Sequence, residues 1–596
     1  MDSRVGRCIP GTGSSVSSSS SKTSTTLSTQ VSTSTSTKAS SSTASSAVTV
    51  SCTATFTPVT ASQAFAALDP GWNLGNTLDA VPNEGSWNNP PVQLATFTQV
   101  QAKGFKSVRI PVTWAYHFTD ASPTWTVDKT WMDRVETVVD QALSLGFYVI
   151  LNVHHDSWVW ADVTAAGANI TLVEEKFSRL WSQIGTRFAC KSSKLIFEAI
   201  NEPVGTTQAH ADELNKMNGI FLKAINEAGG YNPKRVVSLS GLGQDSIKTS
   251  QWFVRPTTYP NQPWGIQFHY YSPYDFIFSA WGKTSWGNAA EKATLLEDFK
   301  LFNGNFSGIP AFIGEWDAST TNTETAGRWN YFDFFTRTAK SFGYSTVLWD
   351  NGVDHFTRAT NIWKDPVILD VWFNAIAGVS NTLADSTTDP AATSQTSSAY
   401  IFHKVGDPVV AQSVSYLLNG NTFKSLKNSA GTTIAASQYT ISSGTLTLSS
   451  AYLSTLYSST SAAGIKETLT VSFSAGAALS LQIVQYDTPT IPTTTYKINT
   501  SADLAIPVTF KGLPKIAAVK AVKADGTYMV DDWTQYLGPL QQARWTYGNW
   551  AWDDTHFIIY VSGLTQIQSA GQAVTLTVEF FPRSLGQNSV NITFTP

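Results

Sequence analysis

Two short runs place a glutamate where an apolar strand gives out: IFEAINEP at residues 196–203, with Asn201 beside Glu202, and PAFIGEWD at 310–317, with Glu315. Successive side chains on a strand alternate between faces, so Asn201 and Glu202 can serve one centre only where strand has become loop. Pro203 marks that departure and biases its predecessor toward extended backbone. Two carboxyl groups flanking one acetal linkage can divide the work of breaking it. At a separation of roughly 5 Å one attacks the anomeric carbon while the other protonates the departing oxygen, with retention; at roughly 6.5–9.5 Å a water fits between them and the configuration inverts. Which geometry applies depends on the elements that carry the two residues.

Eight β-rich runs alternate with helical patterns between residues 61 and 381. They are GWNLGNT (71–77), SVRIPVTW (107–114), YVILNVHH (148–155), KLIFEAINE (194–202), RVVSLSG (235–241), GIQFHYY (265–271), PAFIGEW (310–316) and STVLWDNG (345–352). Eight is the number that closes a parallel βα barrel, and each run ends on polar or aromatic residues, as suits chemistry gathered at the carboxyl ends of the strands. Stretches such as WMDRVETVVDQALSLG, with apolar positions three and four apart and a glycine stop, read as the intervening helices. An open doubly wound sheet would want a glycine-rich phosphate loop after its first strand, and none is present. Glu202 closes the fourth run and Glu315 the seventh, which allows them to face each other across the barrel mouth.

Beyond residue 385 the pattern changes to period-two alternation broken by Gly, Ser and Asn turns. The fold class expected is therefore α/β, a (β/α)8 barrel at 61–381 followed by two all-β sandwich domains. The first, at 385–487, reads as an immunoglobulin-like spacer, and the second occupies 488–596. In the last domain RWTYGNWAWDD gathers Trp545, Tyr547, Trp550 and Trp552, with Trp533 and Tyr536 just upstream. Residues 11–52 form a Ser/Thr-rich tether with too little apolar surface to offset chain entropy.

The 596 residues are 14% charged and 12% aromatic, include 21 Trp, and carry a formal net charge of -4. Flat apolar rings and few charges suit neutral ring-shaped ligands better than phosphates, and without a Lys/Arg block no nucleic-acid partner is expected. No apolar run approaches the roughly 20 residues of a membrane span. The three cysteines, Cys8, Cys52 and Cys190, have no metal-ligand spacing; either Cys52 pairs with Cys190 or Cys190 is a buried free thiol. Sequons at Asn169, Asn305, Asn499 and Asn591, together with the tether, point to a secreted glycoprotein. The opening MDSRVGRCIP lacks an apolar leader, so a missing start is inferred.

Taken together, INEP, VRIP, NVHHD, HYY, GEW and LWDN resemble, in order, the motifs of glycoside hydrolase family 5, and GWNLGNTLDA resembles the opening of its subfamily 4, which holds endoglucanases and xyloglucanases. The resemblance spans about residues 65–380. It implies Glu202 as acid/base and Glu315 as nucleophile of a retaining mechanism. It also implies that Asn201 binds the 2-hydroxyl, that Arg109 and Tyr271 hold the Glu315 carboxylate, and that His154 and His269 border the reacting sugar above Trp349. Asn73 and His155 are further candidates for the substrate site, His155 in a supporting position. The CIPG fragment at Cys8 resembles the end of a fungal cellulose-binding module at 1–10. The C-terminal domain resembles carbohydrate-binding module family 46, with Trp545, Trp550 and Trp552 as candidate sugar platforms. The resemblance implies a monomer that needs neither metal nor cofactor and cuts internal β-1,4 bonds of cellulose, mixed-linkage glucan or xyloglucan.

Other readings attach to the same residues. The glutamates could form a structural ion pair, and Arg109 a mere barrel-end partner. His154 and His155 suggest a metal, but alternation on a strand would separate them, and no third ligand stands at a suitable spacing. Trp158, Trp160, Trp281 and Trp286 are loop tryptophans that either pack or bind sugar. A mannanase or xylanase of the same fold, or a barrel that only binds glucan, fits the motifs as well. An esterase would want a G-x-S-x-G elbow, and there is none.

Overall fold

The computed structural model describes residues 50–278, 281–321, 323–457, 462–529, 534, 537–546 and 548–596. Cys8, most of the tether, Trp533, Tyr536 and Tyr547 lie outside the described residues.

Eight strands close a parallel barrel: β1 (Gly71–Asn73), β2 (Ser107–Ile110), β3 (Tyr148–Asn152), β4 (Leu195–Glu198), β5 (Val237–Asp245), β6 (Trp264–Tyr270), β7 (Ala311–Trp316) and β8 (Ser345–Leu348). Each pairs with the next and β8 pairs with β1, Trp72 lying opposite Leu348. The helix Lys129–Ser144 illustrates the connecting segments. Asp128 caps it by accepting from Thr130 N (2.6 Å), and Trp131, Val135, Val138, Val139 and Ala142 form its buried face. A cap of this kind contributes about 1 kcal/mol.

The barrel interior is layered by the two-residue period of its strands. Ile150 and Ile196 pack with Phe312, Val347 and Phe65, the last reaching in from the helix Ala61–Ala66. Two residues further along β3 and β4, and so on the same faces, stand Asn152 and Glu198, which lie opposite each other in the register. Asn73 and Arg109 are likewise partners across β1 and β2. An apolar plug thus underlies a polar layer, and that polar layer underlies the mouth.

The two following domains share one layout. In the first, a four-stranded sheet of Tyr400–Lys404, Leu479–Tyr486, Gly464–Phe473 and Phe423–Lys427 packs on a three-stranded sheet of Gln412–Ser415, Thr445–Leu448 and Tyr439–Ser442. In the second, Thr495–Lys497, Ser589–Thr595, Val574–Phe580 and Ile516–Lys523 pack on Leu504–Pro507, His556–Ile559 and Trp550–Trp552. In both, the first strand pairs parallel to the last. The middle domain shares a continuous apolar core with the barrel, whereas the C-terminal domain has its own. A Cys52–Cys190 disulfide ties the segment before the barrel to the end of the helix Ile170–Phe188.

Candidate active site

Arg109, fully buried at the end of β2, organises the polar layer. Its Nε and Nη2 donate to the two oxygens of Glu198 (2.6 and 2.7 Å), Nη2 also donates to Asn201 Oδ1 (2.7 Å), and Nη1 donates to Glu315 Oε1 (2.5 Å) and Asn73 Oδ1 (3.0 Å). Burial works against the guanidinium charge, but Glu198 and Glu315 outweigh it, so Arg109 holds its proton more firmly than a free arginine. Burial likewise opposes the Glu198 charge, and Arg109 with Asn152 more than offsets it, so Glu198 stays ionised. One buried cation is therefore shared between a structural carboxylate and one at the mouth, the pairing that makes buried charge tolerable.

Glu315 receives a second hydrogen bond, from the Tyr271 hydroxyl to Oε2 (2.9 Å). Glu202 has different company: its Oε1 meets His269 Nδ1 at 2.8 Å, and the same nitrogen stands 3.5 Å from Glu315 Oε2. Oxygens of the two glutamates and a ring nitrogen of His269 all lie within 4.8 Å of one another. Burial raises both carboxyl groups, but not equally. Glu202 reaches about 7, with Arg109 and His155 opposing too weakly to hold it down. Glu315 is also raised by burial, and Arg109 and the Tyr271 hydroxyl act against that rise. Burial lowers His269 to about 4, leaving that ring neutral. The pair is thus divided into a proton holder, Glu202, and a carboxylate supported by two donors, Glu315.

The local backbone at Glu202 departs from the sequence expectation. Ahead of Pro203 an extended conformation is expected, but Glu202 has φ +38°. Three tertiary bonds impose it: Asn201 N to Val153 O (2.9 Å), Glu202 N to Gln244 Oε1 (2.8 Å), and Trp158 Nε1 to Glu202 O (3.3 Å). A non-glycine residue in that region costs of order 1–3 kcal/mol and persists where surrounding contacts over-determine it. At Glu315 the preceding Gly314 admits the Gln267 side chain, which would lie 2.3 Å from a Cβ there.

His154 and His155 also correct the alternation argument. Both lie beyond the end of β3, and their rings are 4.5 Å apart. Asp79 supplies the missing third ligand group, with ligand atoms of the three residues within 4.8 Å of one another. The hydrogen bonds nonetheless argue against a metal. Val112 N donates to Asn152 Oδ1 (3.1 Å), which fixes the amide so that Asn152 Nδ2 donates to Glu198 Oε1 (3.1 Å) and to His154 Nδ1 (3.0 Å). The neutral His154 ring, its pKa pushed well down by burial, therefore carries its proton on Nε2 and offers a donor rather than a metal ligand. At the second cluster, Glu202 with His269 and Glu315, a cation would have to sit beside Arg109.

Trp349, partly exposed just past β8, lies parallel to His154 with ring centroids 5.9 Å apart. Asn201 makes no hydrogen bond from Nδ2 among the described residues, so that donor remains for a ligand. Asn73 is corrected: fully buried, it donates to Gly314 O and to the β8 carbonyls, and it positions Arg109 instead of meeting substrate. His155 packs between Trp87 and Trp158 behind His154. Trp281 and Trp286 are buried and are not platforms. Trp545 and Trp550, 1% and 2% exposed, are corrected too: both belong to the C-terminal core, with Trp545 Nε1 donating to Gln566 and Trp550 Nε1 to Trp545 O. Trp552, on the same strand face as Trp550, stays partly exposed. Glu198, Asn152 and Gln244 were not singled out from the sequence, although Glu198 stands inside the same IFEAINEP run.

A closed parallel barrel with two unlike carboxyl groups at the carboxyl ends of β4 and β7 defines a class, the hydrolases that cleave by a carboxylate pair. Comparison with known proteins is specific. Residues 73–355 match the model of Cellulase (glycosyl hydrolase family 5), and residues 395–483 match Carbohydrate binding domain X2. Endoglucanase B of Paenibacillus lautus is 32% identical over 487 residues, covering 79% of this chain and 82% of that protein. A tri-modular subfamily 4 endo-β-1,4-glucanase from Bacillus licheniformis, complexed with cellotetraose, superposes with TM-score 0.73 at 33% identity over 90% of this chain and 99% of that one. Endo-β-1,4-glucanase B from Bacillus halodurans, also tri-modular, gives TM-score 0.71 at 26% identity over 91% and 98%. The chain belongs to glycosyl hydrolase family 5, the cellulase family, and is a glycoside hydrolase with appended β domains, one of them a carbohydrate-binding domain.

Proposed function

We propose that the enzyme is a retaining endo-β-1,4-glucanase in which Glu315 is the nucleophile and Glu202 the acid/base. The observation that carries this reading is the carboxylate pair itself: oxygens of Glu202 and Glu315 within 4.8 Å of one another, close to the roughly 5 Å of a direct attack and too close for a water-mediated inversion. In the first step Glu315 attacks the anomeric carbon while Glu202 gives its proton to the leaving oxygen, producing a glycosyl-enzyme. That ester removes the Glu315 charge, the Glu202 acidity rises, and Glu202 accepts a proton from the water that frees the sugar. Arg109 and Tyr271 keep the nucleophile ionised, Asn201 Nδ2 donates to the 2-hydroxyl, and Trp349 with His154 forms the sugar floor.

Internal cleavage of β-1,4-glucans is supported by the endoglucanase names of the Paenibacillus lautus and Bacillus licheniformis proteins and by the cellotetraose complex of the latter. The X2 family name supports carbohydrate binding by the middle domain, which the sequence alone suggested as a spacer. Trp552 remains the candidate contact of the C-terminal domain. An extracellular site of action is supported by the Cys52–Cys190 disulfide, a bond favoured in oxidising compartments.

Glu315→Ala is expected to lose turnover by about 10⁴-fold or more, with azide restoring product of inverted configuration. Retention of full activity in that variant would remove Glu315 from the mechanism. With Glu202 near 7, activity on a natural glucan falls as pH rises through about 7, because the acid loses its proton. Glu202→Gln should abolish cleavage of the natural glucan while sparing the first step on an aryl glycoside whose leaving group needs no protonation, read as a pre-steady-state burst of the released phenol.

A further inference from the structure

The loop after β6 carries Tyr271, and its far end meets the C-terminal domain. Gly282 has φ +79°, and a Cβ on it would lie 2.4 Å from Ala517 O and 2.7 Å from Arg583 Nη1. The seat is rigid on the domain side. Ala517 sits where the register of the strand Ile516–Lys523 slips against its neighbour, a bulge that turns its carbonyl out of the ladder. Arg583 is held by Glu579 (Nε to Oε2, 3.0 Å) and donates to Leu540 O. On the barrel side the loop is pinned by Lys283, which pairs with Asp275 and Glu291, and by Thr284, whose hydroxyl donates to Glu324 Oε1 (3.0 Å). Glu324 in turn accepts from Ser397 Oγ (3.0 Å) in the segment leading to the middle domain.

From that seat a chain of packed rings runs back to the active site. Trp281 contacts Tyr274 (centroids 5.8 Å apart), Tyr274 contacts Phe278 (5.1 Å), and Phe278 contacts Tyr271 (5.6 Å). Tyr271 is the residue whose hydroxyl reaches Glu315 Oε2 at 2.9 Å. Close-packed aromatic side chains leave little room for independent movement, so a shift at one end is felt at the other.

We propose that the C-terminal domain is a positioning element of the catalytic centre: Ala517 and Arg583 seat Gly282, and the ring chain from Trp281 to Tyr271 carries that seat to the hydroxyl that supports Glu315. This role is separate from holding polymer, and it rests on the reading of Glu315 as nucleophile. A domain that only binds polymer would affect long substrates alone. A positioning domain affects the chemistry of a substrate too short to reach it.

The test uses the full chain and 2,4-dinitrophenyl β-cellobioside, whose leaving group departs without a proton, so that the first step reports Glu315 and its supports. Gly282→Val should lower kcat/KM, which reports the first step alone, by roughly 3- to 30-fold, the range for mutations along a coupled network. The acid limb of the kcat/KM profile should move to higher pH, because losing a donor to Glu315 favours its neutral form. Tyr271→Phe should produce the same shift, and the double variant should lose no more than Tyr271→Phe alone. Unchanged kcat/KM and pH profile in folded Gly282→Val, or strictly additive losses in the double variant, would overturn the proposal. Where thermal unfolding shows Gly282→Val to be misfolded, Arg583→Lys, which alters the domain side of the seat, replaces it in the same cycle with the same two outcomes. The azide experiment on Glu315→Ala tests the underlying reading by itself: a wrong nucleophile fails there, whereas a missing coupling fails only in the cycle.

Discussion

The mouth of the barrel and the tryptophan cluster of the C-terminal domain invite comparison, since each gathers conspicuous residues in a short span. In the barrel, Arg109, Glu198, Asn201 and Glu315 converge on one another through hydrogen bonds of 2.5–2.7 Å. In the tail, Trp545 and Trp550 turn inward and become core. The difference follows from desolvation. A charge in an apolar strand is expensive unless a partner meets it, so its presence reports a site. An indole gains free energy simply by leaving water, so its presence in a strand reports burial first.

That contrast can be broken at either end. The largest effect is expected from Arg109→Met, which strands Glu198 without its cation: a loss of about 3–5 kcal/mol in stability together with loss of turnover, read by denaturant unfolding and by reducing-sugar release. Near-normal values of both would mean that Arg109 is not the keystone of the polar layer. Trp545→Ala should cost the C-terminal domain about 3–5 kcal/mol while the folded fraction binds glucan as before, and Trp552→Ala should do the reverse, weakening binding in an affinity gel with little effect on unfolding. If Trp545→Ala instead abolished glucan binding at unchanged stability, the sugar-platform role would return to it. The smallest effect concerns Glu324, which burial raises from 4.5 to about 7 at the junction of the domains. A carboxyl whose folded pKa is raised stabilises most fully below its unfolded value, and that contribution is lost as pH climbs through the folded value. Melting temperature should therefore fall between pH about 4.5 and about 7, and Glu324→Gln should flatten that slope; an unaltered slope would assign it to other groups.

Much of the barrel was legible because its signals are local. Alternation, helical spacing and glycine stops are written over a few residues, and the eight runs coincide with the eight strands. Glu202 and Glu315 were legible because each interrupts an apolar run at a strand end. Glu198 was not, although it stands four residues before Glu202, because its importance comes from Arg109, 89 positions away. Asn73 was misjudged for a related reason: its polar side chain serves three carbonyls and Arg109, partners that no spacing displays.

The sequence by itself determined the element order, the strand ends on which the two carboxyl groups stand, and the division into barrel and β domains, since each follows from preferences acting over neighbouring residues. Only the tertiary structure decided the left-handed backbone of Glu202, the separation of the glutamates, the tautomer of His154, the burial of Trp545 and Trp550, and the seat of Gly282 against Ala517. Those depend on groups brought together from distant positions, and on a desolvation balance that exists only once water has been excluded.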